Sequence, residues 1–508
     1  MFYSPRKLSI FVSQSLGACA LIATLAFACL FSDSTSTGKM QSKFESNDAR
    51  QMSFTPNALS FVNFQTASNV LGQSSFTTNT PGSSLSQFDI PLGTVVDPAT
   101  GKIFVSDSSN HRVLRFPASA ATVNGSAAEL VFGVTGSPGT TATQFNSPVG
   151  LAIDSAGRLW VADRANSRVL RFDNAATIAT NSPSANGVLG QPDFTTSSAG
   201  ITQSTVNNPY SVSVDSAGRL WVADGFNNRV LRFDNAAAKA NGANADGVLG
   251  QPDFVTSAPA TTQSKMNFPT GVFIDSAGRL WVSESSNNRV LRFDNAAAKP
   301  NGANADGVLG QPDFVTSAPA TTQSKMNNPI GLSTDSIGRL YVGDFNNSRL
   351  LIFNNAATLP NGANASNVLG QPNFTTAVVN NGGITASSSS GYAYPHYHEA
   401  SNSLFVADAN NNRVLRFVAA GPTAAGVSIS GRVIMPQELG LTNALVTLTD
   451  SQGNSRTILT RKLGNFRFED VAAGETYIIS VTARRYTFAS QVVTPIEDIA
   501  DLSFSAQQ

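Results

Sequence analysis

A short phrase recurs six times along this chain and limits the kind of fold that the chain can adopt. Each copy is a variant of Arg-Val-Leu-Arg-Phe, and the copies begin at Arg112, Arg168, Arg229, Arg289, Arg349 and Arg413. Their first residues lie 56, 61, 60, 60 and 64 positions apart. A repeat that carries several short strands over such a period is typical of a β-propeller. We therefore expect the shared residues to be scaffold, and we expect function where a copy departs from the pattern.

One copy shows how a repeat is expected to fold. Its predicted strands are residues 151–153, 159–162, 169–172 and 187–191. The turn between the first two strands is Asp154-Ser-Ala-Gly157, in which glycine supplies the positive φ that such a turn requires. Four short antiparallel strands with turn residues between them predict one propeller blade.

The order of motifs within this copy resembles the NHL repeat. The matching pieces are Pro148-Val-Gly150, then Asp154-Ser-Ala-Gly157, an apolar run that ends in Asp163, and Asn166-Ser-Arg168-Val. The resemblance extends over roughly residues 68–420, and it implies an NHL-like propeller domain over residues 67–422.

The number of fourth strands indicates how the ring closes. The phrase Val-Leu-Gly-Gln begins at residues 70, 188, 248, 308 and 368, with a degenerate copy over residues 130–133. The first of these precedes every three-strand core, whereas the last core is followed by none. The simplest arrangement is an all-β, six-bladed propeller in which residues 70–73 complete the sixth blade and remove the open edge.

A different module is predicted over residues 426–508, where alternating strands of about six residues indicate a small β-sandwich. It resembles a carboxypeptidase regulatory-like domain, of the Ig/transthyretin-like type. The matching pieces are Gly431-Arg-Val433, Asn443-Ala-Leu-Val-Thr-Leu448, Gly464-Asn-Phe466-Arg-Phe468 and Gly474-Glu-Thr-Tyr477. Lys462-Leu463 stands where the family usually has Thr-Asp. The resemblance implies an accessory or adhesive role without catalytic residues.

The first 31 residues are predicted to be a signal peptide or an N-terminal anchor. Arg6 and Lys7 precede residues 8–31, which contain no charge, and Ala26-Phe-Ala28 is an acceptable cleavage site. An uncleaved anchor remains open because about 20 apolar residues can span a bilayer. Lipidation of Cys19 or Cys29, the two cysteines of the chain, also remains open. Residues 32–66 are predicted to be a flexible spacer, and we expect a secreted or cell-surface protein whose membrane attachment, if any, is through this leader.

Charge excludes one class of partner and predicts a scaffold contact. Lys and Arg together number 33, as do Asp and Glu, so no positive excess favours nucleic acid. Asp163 precedes Arg168 by five positions across a turn, which predicts a hydrogen-bonded brace rather than a ring of ligand contacts. The same pair recurs as Asp224 with Arg229, Glu284 with Arg289 and Asp344 with Arg349.

The sixth copy departs most from the pattern. His396 and His398 fall on its first strand, where alternation places both on one face, and Tyr392 and Tyr394 precede them. We expect that strand to line the central channel, with His111 of the first copy at the same channel mouth. Three interpretations remain open: a metal or catalytic site, a non-catalytic ligand pocket, and simple packing of an irregular closing blade.

Other departures are aromatic. Phe226 and Phe345 fall in the turn between second and third strands, and Tyr210 and Phe268 lie near the entry to first strands. Exposed aromatic side chains can stack on sugars or anchor a protein. The chain contains no nucleophile elbow, phosphate loop or HExxH motif. The sequence therefore predicts no cofactor and favours a protein that binds a protein or glycan partner, with a metal-dependent lyase or hydrolase as the alternative.

Overall fold

The computed structural model describes residues 60–419, 427–450, 455–471, 476–495 and 498–507. The leader over residues 1–31, with both cysteines, and residues 32–59 of the predicted spacer lie outside these ranges, so the predictions made for them stay predictions. Gly474 of the regulatory-like motif also lies outside them. Within the described ranges, no helix has the length and apolar character needed to cross a bilayer.

Six four-stranded antiparallel sheets make up the first part of the described chain, numbered here 1 to 6 in chain order. Their first strands are Pro91–Val96, Pro148–Ile153, Pro209–Val214, Pro269–Ile274, Pro329–Thr334 and Tyr392–His398. The second strands are Ile103–Asp107, Leu159–Asp163, Leu220–Asp224, Leu280–Glu284, Leu340–Asp344 and Ser403–Asp408. The third strands are Arg112–Phe116, Arg168–Phe172, Arg229–Phe233, Arg289–Phe293, Arg349–Phe353 and Arg413–Val418.

The fourth strands confirm the predicted closure. Those of sheets 1 to 5 are Leu130–Gly133, Gly187–Leu189, Gly247–Leu249, Gly307–Leu309 and Asn367–Leu369. Sheet 6 takes its fourth strand from the other end of the repeat region, because Asn69–Leu71 pairs antiparallel with its third strand. First strands of successive sheets lie beside each other, and that of sheet 6 lies beside that of sheet 1. This repeated arrangement of four-stranded sheets fits a propeller.

The described ranges contain 3-10 helices but no α-helix. The 3-10 helices are Ser108–Asn110, Ala118–Thr122, Arg164–Asn166, Gly225–Asn227, Ala236–Ala238, Ala296–Ala298, Phe345–Asn347, Ala356–Thr358, Val379–Gly382, Glu399–Ser401, Ala409–Asn411 and Lys462–Gly464. Each of the five that lie between second and third strands is followed by a residue with positive φ, such as His111 or Asn228. We call the side of the ring that carries these turns and the entries to the first strands the entry face.

A ring of asparagine side chains links each sheet to the next repeat. The side-chain oxygen of Asn301, for example, accepts the backbone N–H of Val248 at 3.0 Å. The equivalent pairs are Asn124 with Val70, Asn181 with Val131, Asn241 with Val188, Asn361 with Val308 and Asn63 with Val368, at 2.9 to 3.1 Å. Asn63 lies in the predicted spacer. Residues 60–66 therefore belong to the ring, and the spacer prediction extended too far.

The predicted brace is confirmed in every sheet. In sheet 2 the guanidinium Nε of Arg168 donates to Asp163 at 2.7 Å, and both side chains are fully buried. The other pairs, at 2.5 to 2.8 Å, are Asp107 with Arg112, Asp224 with Arg229, Glu284 with Arg289, Asp344 with Arg349 and Asp408 with Arg413. Burial raises the pKa of Asp163, and Arg168 together with hydrogen bonds from Asn146 and Asn166 opposes the rise. The pair is scaffold, since its charges are directed at each other.

Each brace also fixes the loop that leads into the first strand. The second carboxylate oxygen of Asp163 accepts the backbone N–H of Asn146 at 2.7 Å. The far end of the Arg168 guanidinium donates to the backbone carbonyls of Thr141 and Gln144 at 3.1 and 2.8 Å. One buried ion pair thus orders both the ends of the second and third strands and the loop that leads into the first strand.

Two further sheets share one core at the C-terminal end of the chain. The three-stranded sheet contains, in spatial order, Asn465–Val471, Val427–Ile434 and Ile499–Ser505. The four-stranded sheet contains Ser455–Leu459, Leu445–Thr449, Tyr477–Thr482 and Gln491–Val493. Ile429 and Phe466 of the first sheet pack with Val446 and Ile479 of the second. Two sheets on a common core fit a β-sandwich, while membership in the regulatory-like family stays a prediction.

Removing the acidic partner of one brace should destabilise the protein strongly. Asp224→Ala leaves the guanidinium of Arg229 buried without its counter-ion, which should lower the free energy of unfolding by about 3 to 5 kcal/mol. The matched control in the same sheet is Asp234→Ala, whose carboxylate is 42% exposed and contacts Arg232. That change should cost no more than about 1 kcal/mol. Urea unfolding followed by tryptophan fluorescence measures both, and equal losses would contradict the brace.

Candidate functional site

The first strands of all six sheets border one central cavity of about 320 Å³. Its wall is mostly apolar, with Val95, Leu151, Val214, Phe273 and Leu332 contributed by sheets 1 to 5. Pro98, Glu399 and Ala400 line the end at which the first strands leave toward the second strands, and all three are exposed. The cavity therefore opens on the side opposite to the entry face.

Tyr394 closes the cavity at the entry face. Its hydroxyl donates to the backbone carbonyl of Thr270 at 3.0 Å, so the side chain reaches from sheet 6 to sheet 4. Between them, sheet 5 presents Gly331, where a Cβ atom would lie 2.7 Å from Cδ1 of the Tyr394 ring. Tyr394 thus borders the cavity as predicted, but its hydroxyl is already bonded to the protein.

His396 and His398 both line the cavity, as the alternation of their strand predicted. The Nε2 atoms of both rings are buried and have no hydrogen-bond partner among the described residues. Nδ1 of His398 shares a hydrogen bond of 2.8 Å with Oγ of Ser401. The pair therefore places two imidazole rings against an apolar cavity, each with a buried Nε2 atom that no described residue satisfies.

Burial keeps both imidazoles uncharged. It lowers the pKa of His396 to about 3, with a smaller contribution from His398 in the same direction. Burial and then the nearby Arg416 lower the pKa of His398, while Asp97 opposes them. A neutral imidazole nitrogen either donates or accepts one hydrogen bond, depending on its tautomer.

The structure does not bring His111 to this pair, so the prediction that all three histidines share one channel mouth is wrong. His111 lies in a turn on the entry face, where its Nδ1 accepts the backbone N–H of Ser147 at 3.1 Å. His398 lies six residues beyond the entry end of its strand, and at 3.3 Å per residue that places it roughly 20 Å away along the strand. Asn228 makes the same contact as His111 in sheet 3, to Phe268, which gives His111 a structural role.

Two of the predicted contact residues are packed into the scaffold instead. Tyr392 is fully buried, and its ring lies 6.2 Å from that of Phe417 in an edge-on arrangement. A register irregularity between Tyr392 and Pro395 removes Tyr392 from the alternation that directs Tyr394 and the histidines toward the cavity. Phe345 is partly buried and packs over Gly391, where a Cβ would lie 2.8 Å from its ring. Tyr392 is therefore unavailable as a surface contact, and Phe345 keeps only part of its side chain exposed.

Phe226 is exposed and heads a row of side chains on the entry face. The ring centroids of Phe226 and Phe268 lie 5.3 Å apart, and those of Phe268 and Tyr210 lie 5.1 Å apart. The guanidinium of Arg164 lies 5.4 Å from the Tyr210 ring centroid and donates to its hydroxyl at 3.3 Å. We call Phe226, Phe268, Tyr210 and Arg164 the aromatic row. Sequence reasoning missed the role of Arg164, which stands where three other repeats have Ser or Gly.

The aromatic row is built by specific neighbours and adjoins the closed end of the cavity. Gly225 makes room for Tyr210, because a Cβ at Gly225 would lie 2.7 Å from the tyrosine ring. Burial raises the pKa of Tyr394 well above its usual value; Tyr210 adds to the rise and Arg164 opposes it. Tyr394 therefore separates the row on one side from the cavity on the other.

The histidine pair stands without further ligating side chains in the part of the chain that the structure describes. No group of three or more His, Cys, Asp or Glu residues lies within reach of a common metal ion there. His396 and His398 alone would supply two of the three or four protein ligands that zinc sites usually have.

Comparisons with known proteins confirm the repeat. The NHL repeat model matches residues 88–116, 145–172 and 266–293, which run from before the first strand to the third strand in sheets 1, 2 and 4. NHL repeat-containing protein 3 from Homo sapiens is 36% identical over 90 residues, or 17% of this chain, and the Mus musculus protein is 33% identical. The chain spans about a quarter of the length of these relatives, since the match covers 23% of each.

Two solved structures are similar at low identity. A structural genomics protein of unknown function from Bacteroides thetaiotaomicron is 13% identical, with a TM-score of 0.45, over 70% of this chain and 75% of that chain. A streptogramin B lyase structure is 12% identical, with a TM-score of 0.38, over 67% of this chain and 95% of that chain.

The uncharged state of His396 predicts how stability depends on pH. An unfolded histidine binds a proton near pH 6.5, whereas folded His396 does so only near pH 3. Between these values the unfolded state holds one more proton, so stability should fall by about 1.4 kcal/mol for each unit that the pH drops below 6.5. Burial also lowers the pKa of His398, so His398 acts in the same direction.

His396→Gln should remove that contribution. Between pH 7 and 4.5 the wild type should lose about 2 to 3 kcal/mol more unfolding free energy than the variant. Denaturant unfolding at several pH values measures the difference, and parallel curves for the two proteins would show that His396 is not held neutral.

Proposed function

We propose that this NHL-repeat chain is an exported or cell-surface binding protein whose six sheets form a six-bladed propeller, and that it holds a protein partner on the aromatic row. The observation that carries the proposal is the exposure of Phe226 at 53%. Phe226 is the single aromatic side chain among the exposed large hydrophobic residues of the described ranges. Burying a phenylalanine against a partner contributes roughly 1.5 to 3 kcal/mol.

Arg164 supplies the polar part of the same contact surface. Its Nε atom is buried without a hydrogen-bond partner among the described residues. Its guanidinium is held in place by Tyr210. Tyrosine and arginine beside an exposed aromatic ring are typical of the few residues that carry most of the energy of a protein interface.

The geometry of the rings favours a protein over a glycan. Neighbouring rings in the row are inclined by 70° and 75°, so their faces do not form one flat platform. Sugar rings stack on an open aromatic face, whereas Phe226 projects as a single side chain that suits a pocket in a partner. A glycan is therefore the alternative ligand that the test must separate.

Other parts of the sequence support the wider proposal. The charged Arg6 and Lys7 and the uncharged residues 8–31 support export. The two-sheet C-terminal unit supports an accessory or adhesive domain of the carboxypeptidase regulatory-like type. Neither part contributes a residue to the aromatic row.

Site-specific cross-linking tests the partner proposal. Benzoylphenylalanine at position 226 should cross-link a protein in the cells that make this chain, and Phe268→Ala should reduce the yield at least fivefold. The matched control is benzoylphenylalanine at Ile337, which is 48% exposed in the turn between first and second strands of sheet 5, on the opposite side. Cross-linking from position 337 alone, or binding only to a glycan array in a way that Phe226→Ala abolishes, would overturn a protein partner at the row.

The alternative is a metal-dependent lyase or hydrolase that uses His396 and His398. It requires a metal ion that the pair holds together with ligands from a substrate or solvent. Metal analysis of the full-length protein separates the two functions. The enzyme alternative expects stoichiometric metal in the wild type and its loss in the His396→Ala/His398→Ala double variant, whereas the binding function expects the same low content in both.

A further inference from the structure

We propose that the central cavity is a second binding site, for a small uncharged molecule that has an apolar body and a hydroxyl group. This site is independent of the partner surface on the entry face. It is carried by three features: a cavity bordered by all six first strands, apolar walls, and two imidazole nitrogens without partners.

The size and shape of the cavity limit the ligand. Its volume of about 320 Å³ lies at the small end of the range of ligand pockets. Tyr394 closes one end, and the hydrogen bond from its hydroxyl to Thr270 leaves its ring as an apolar floor. A ligand therefore enters past Pro98, Glu399 and Ala400 at the open end.

The side chains that line the cavity favour a ligand whose main part is apolar. Leu151, Ile153, Val214 and Phe273 are only partly covered by protein although they line the interior of the ring. A ligand that covers these side chains removes further apolar surface from water, at about 25 cal/mol for each Å².

The two histidines favour a ligand that carries a hydroxyl group. A buried polar atom without a partner costs free energy that a ligand recovers by supplying the missing hydrogen bond. A neutral imidazole nitrogen of His396 or His398 is a donor in one tautomer and an acceptor in the other, and a hydroxyl group satisfies both. Glu399, at the open end, is the one charged residue among those that line the cavity, so an acid or an amine would bring a charge against walls that are otherwise uncharged and mostly apolar, which is unfavourable.

Calorimetry with two matched probes tests this site in the full-length protein at pH 7.4. The wild type should bind 4-ethylphenol with one-to-one stoichiometry and at least tenfold more tightly than ethylbenzene, which has the same body without the hydroxyl. His396→Leu/His398→Leu should bind the two probes with similar affinity, because the cavity remains and the hydrogen bond is lost. His111→Leu, which changes the histidine outside the cavity, should keep the tenfold preference.

A second variant keeps the test decisive if the leucine pair alters the cavity. Ile153→Trp should narrow the cavity and weaken binding of both probes while the melting temperature stays within a few degrees of the wild type. The proposal is overturned if the wild type binds neither probe, if it shows no preference for 4-ethylphenol, or if Ile153→Trp leaves binding unchanged. Because Phe226 is not involved, Phe226→Ala should leave both affinities unaltered, so that failure here and failure of the partner surface are distinguishable.

Discussion

Each repeat buries a carboxylate and a guanidinium together at the entry end of its second and third strands, and most of the architecture depends on this contact. Desolvating two charges is costly, and such a pair is favourable only when its remaining hydrogen-bonding groups are also satisfied. Arg168 meets this condition by donating to the carbonyls of Thr141 and Gln144 as well as to Asp163. The loops of the entry face are consequently held by buried charge, which allows that face to present Phe226 and Arg164 in fixed positions.

The first strands of all six sheets meet around the axis of the ring, and there a single residue that departs from the repeat changes the shape of the central space. The residues that occupy the position of Tyr394 in sheets 1 to 5 are Gly93, Gly150, Ser211, Gly271 and Gly331. Small residues there allow the strands to approach closely: a Cβ at Gly93 would lie 2.3 Å from the carbonyl oxygen of Val149. The space that they leave is filled from one side by Tyr394. A single departure from the repeat thus converts a channel into a cavity with one closed end.

The sequence predicted those features that repeat, because repetition provides several independent copies of the same evidence. The strands, the pairing of Asp163 with Arg168, and the completion of sheet 6 by residues near Val70 all followed from aligned copies. The alignment also placed His396 on a strand that borders the central space. It failed for Tyr392, whose orientation depends on a local register irregularity that no spacing reveals. The sequence did not reveal the role of Asn63, because Asn63 lies before the first complete copy of the repeat, in the segment that closes the ring.

The position of Tyr394 also decides how the two proposed sites relate to each other. Tyr210 and Arg164 lie near its hydroxyl on the entry face, while His396 lies two residues further along the same strand on the cavity side. Coupling between two sites requires an element with two arrangements that each ligand distinguishes. The Tyr394 hydroxyl is held by the Thr270 carbonyl, and Gly331 leaves no room for a Cβ beside its ring. Because the Tyr394 side chain is fixed in this way, a ligand in the cavity does not move it. The aromatic row therefore keeps the same arrangement whether the cavity is occupied or empty. The physical basis for treating the sites as independent is therefore the packing of this one tyrosine, rather than the distance between them.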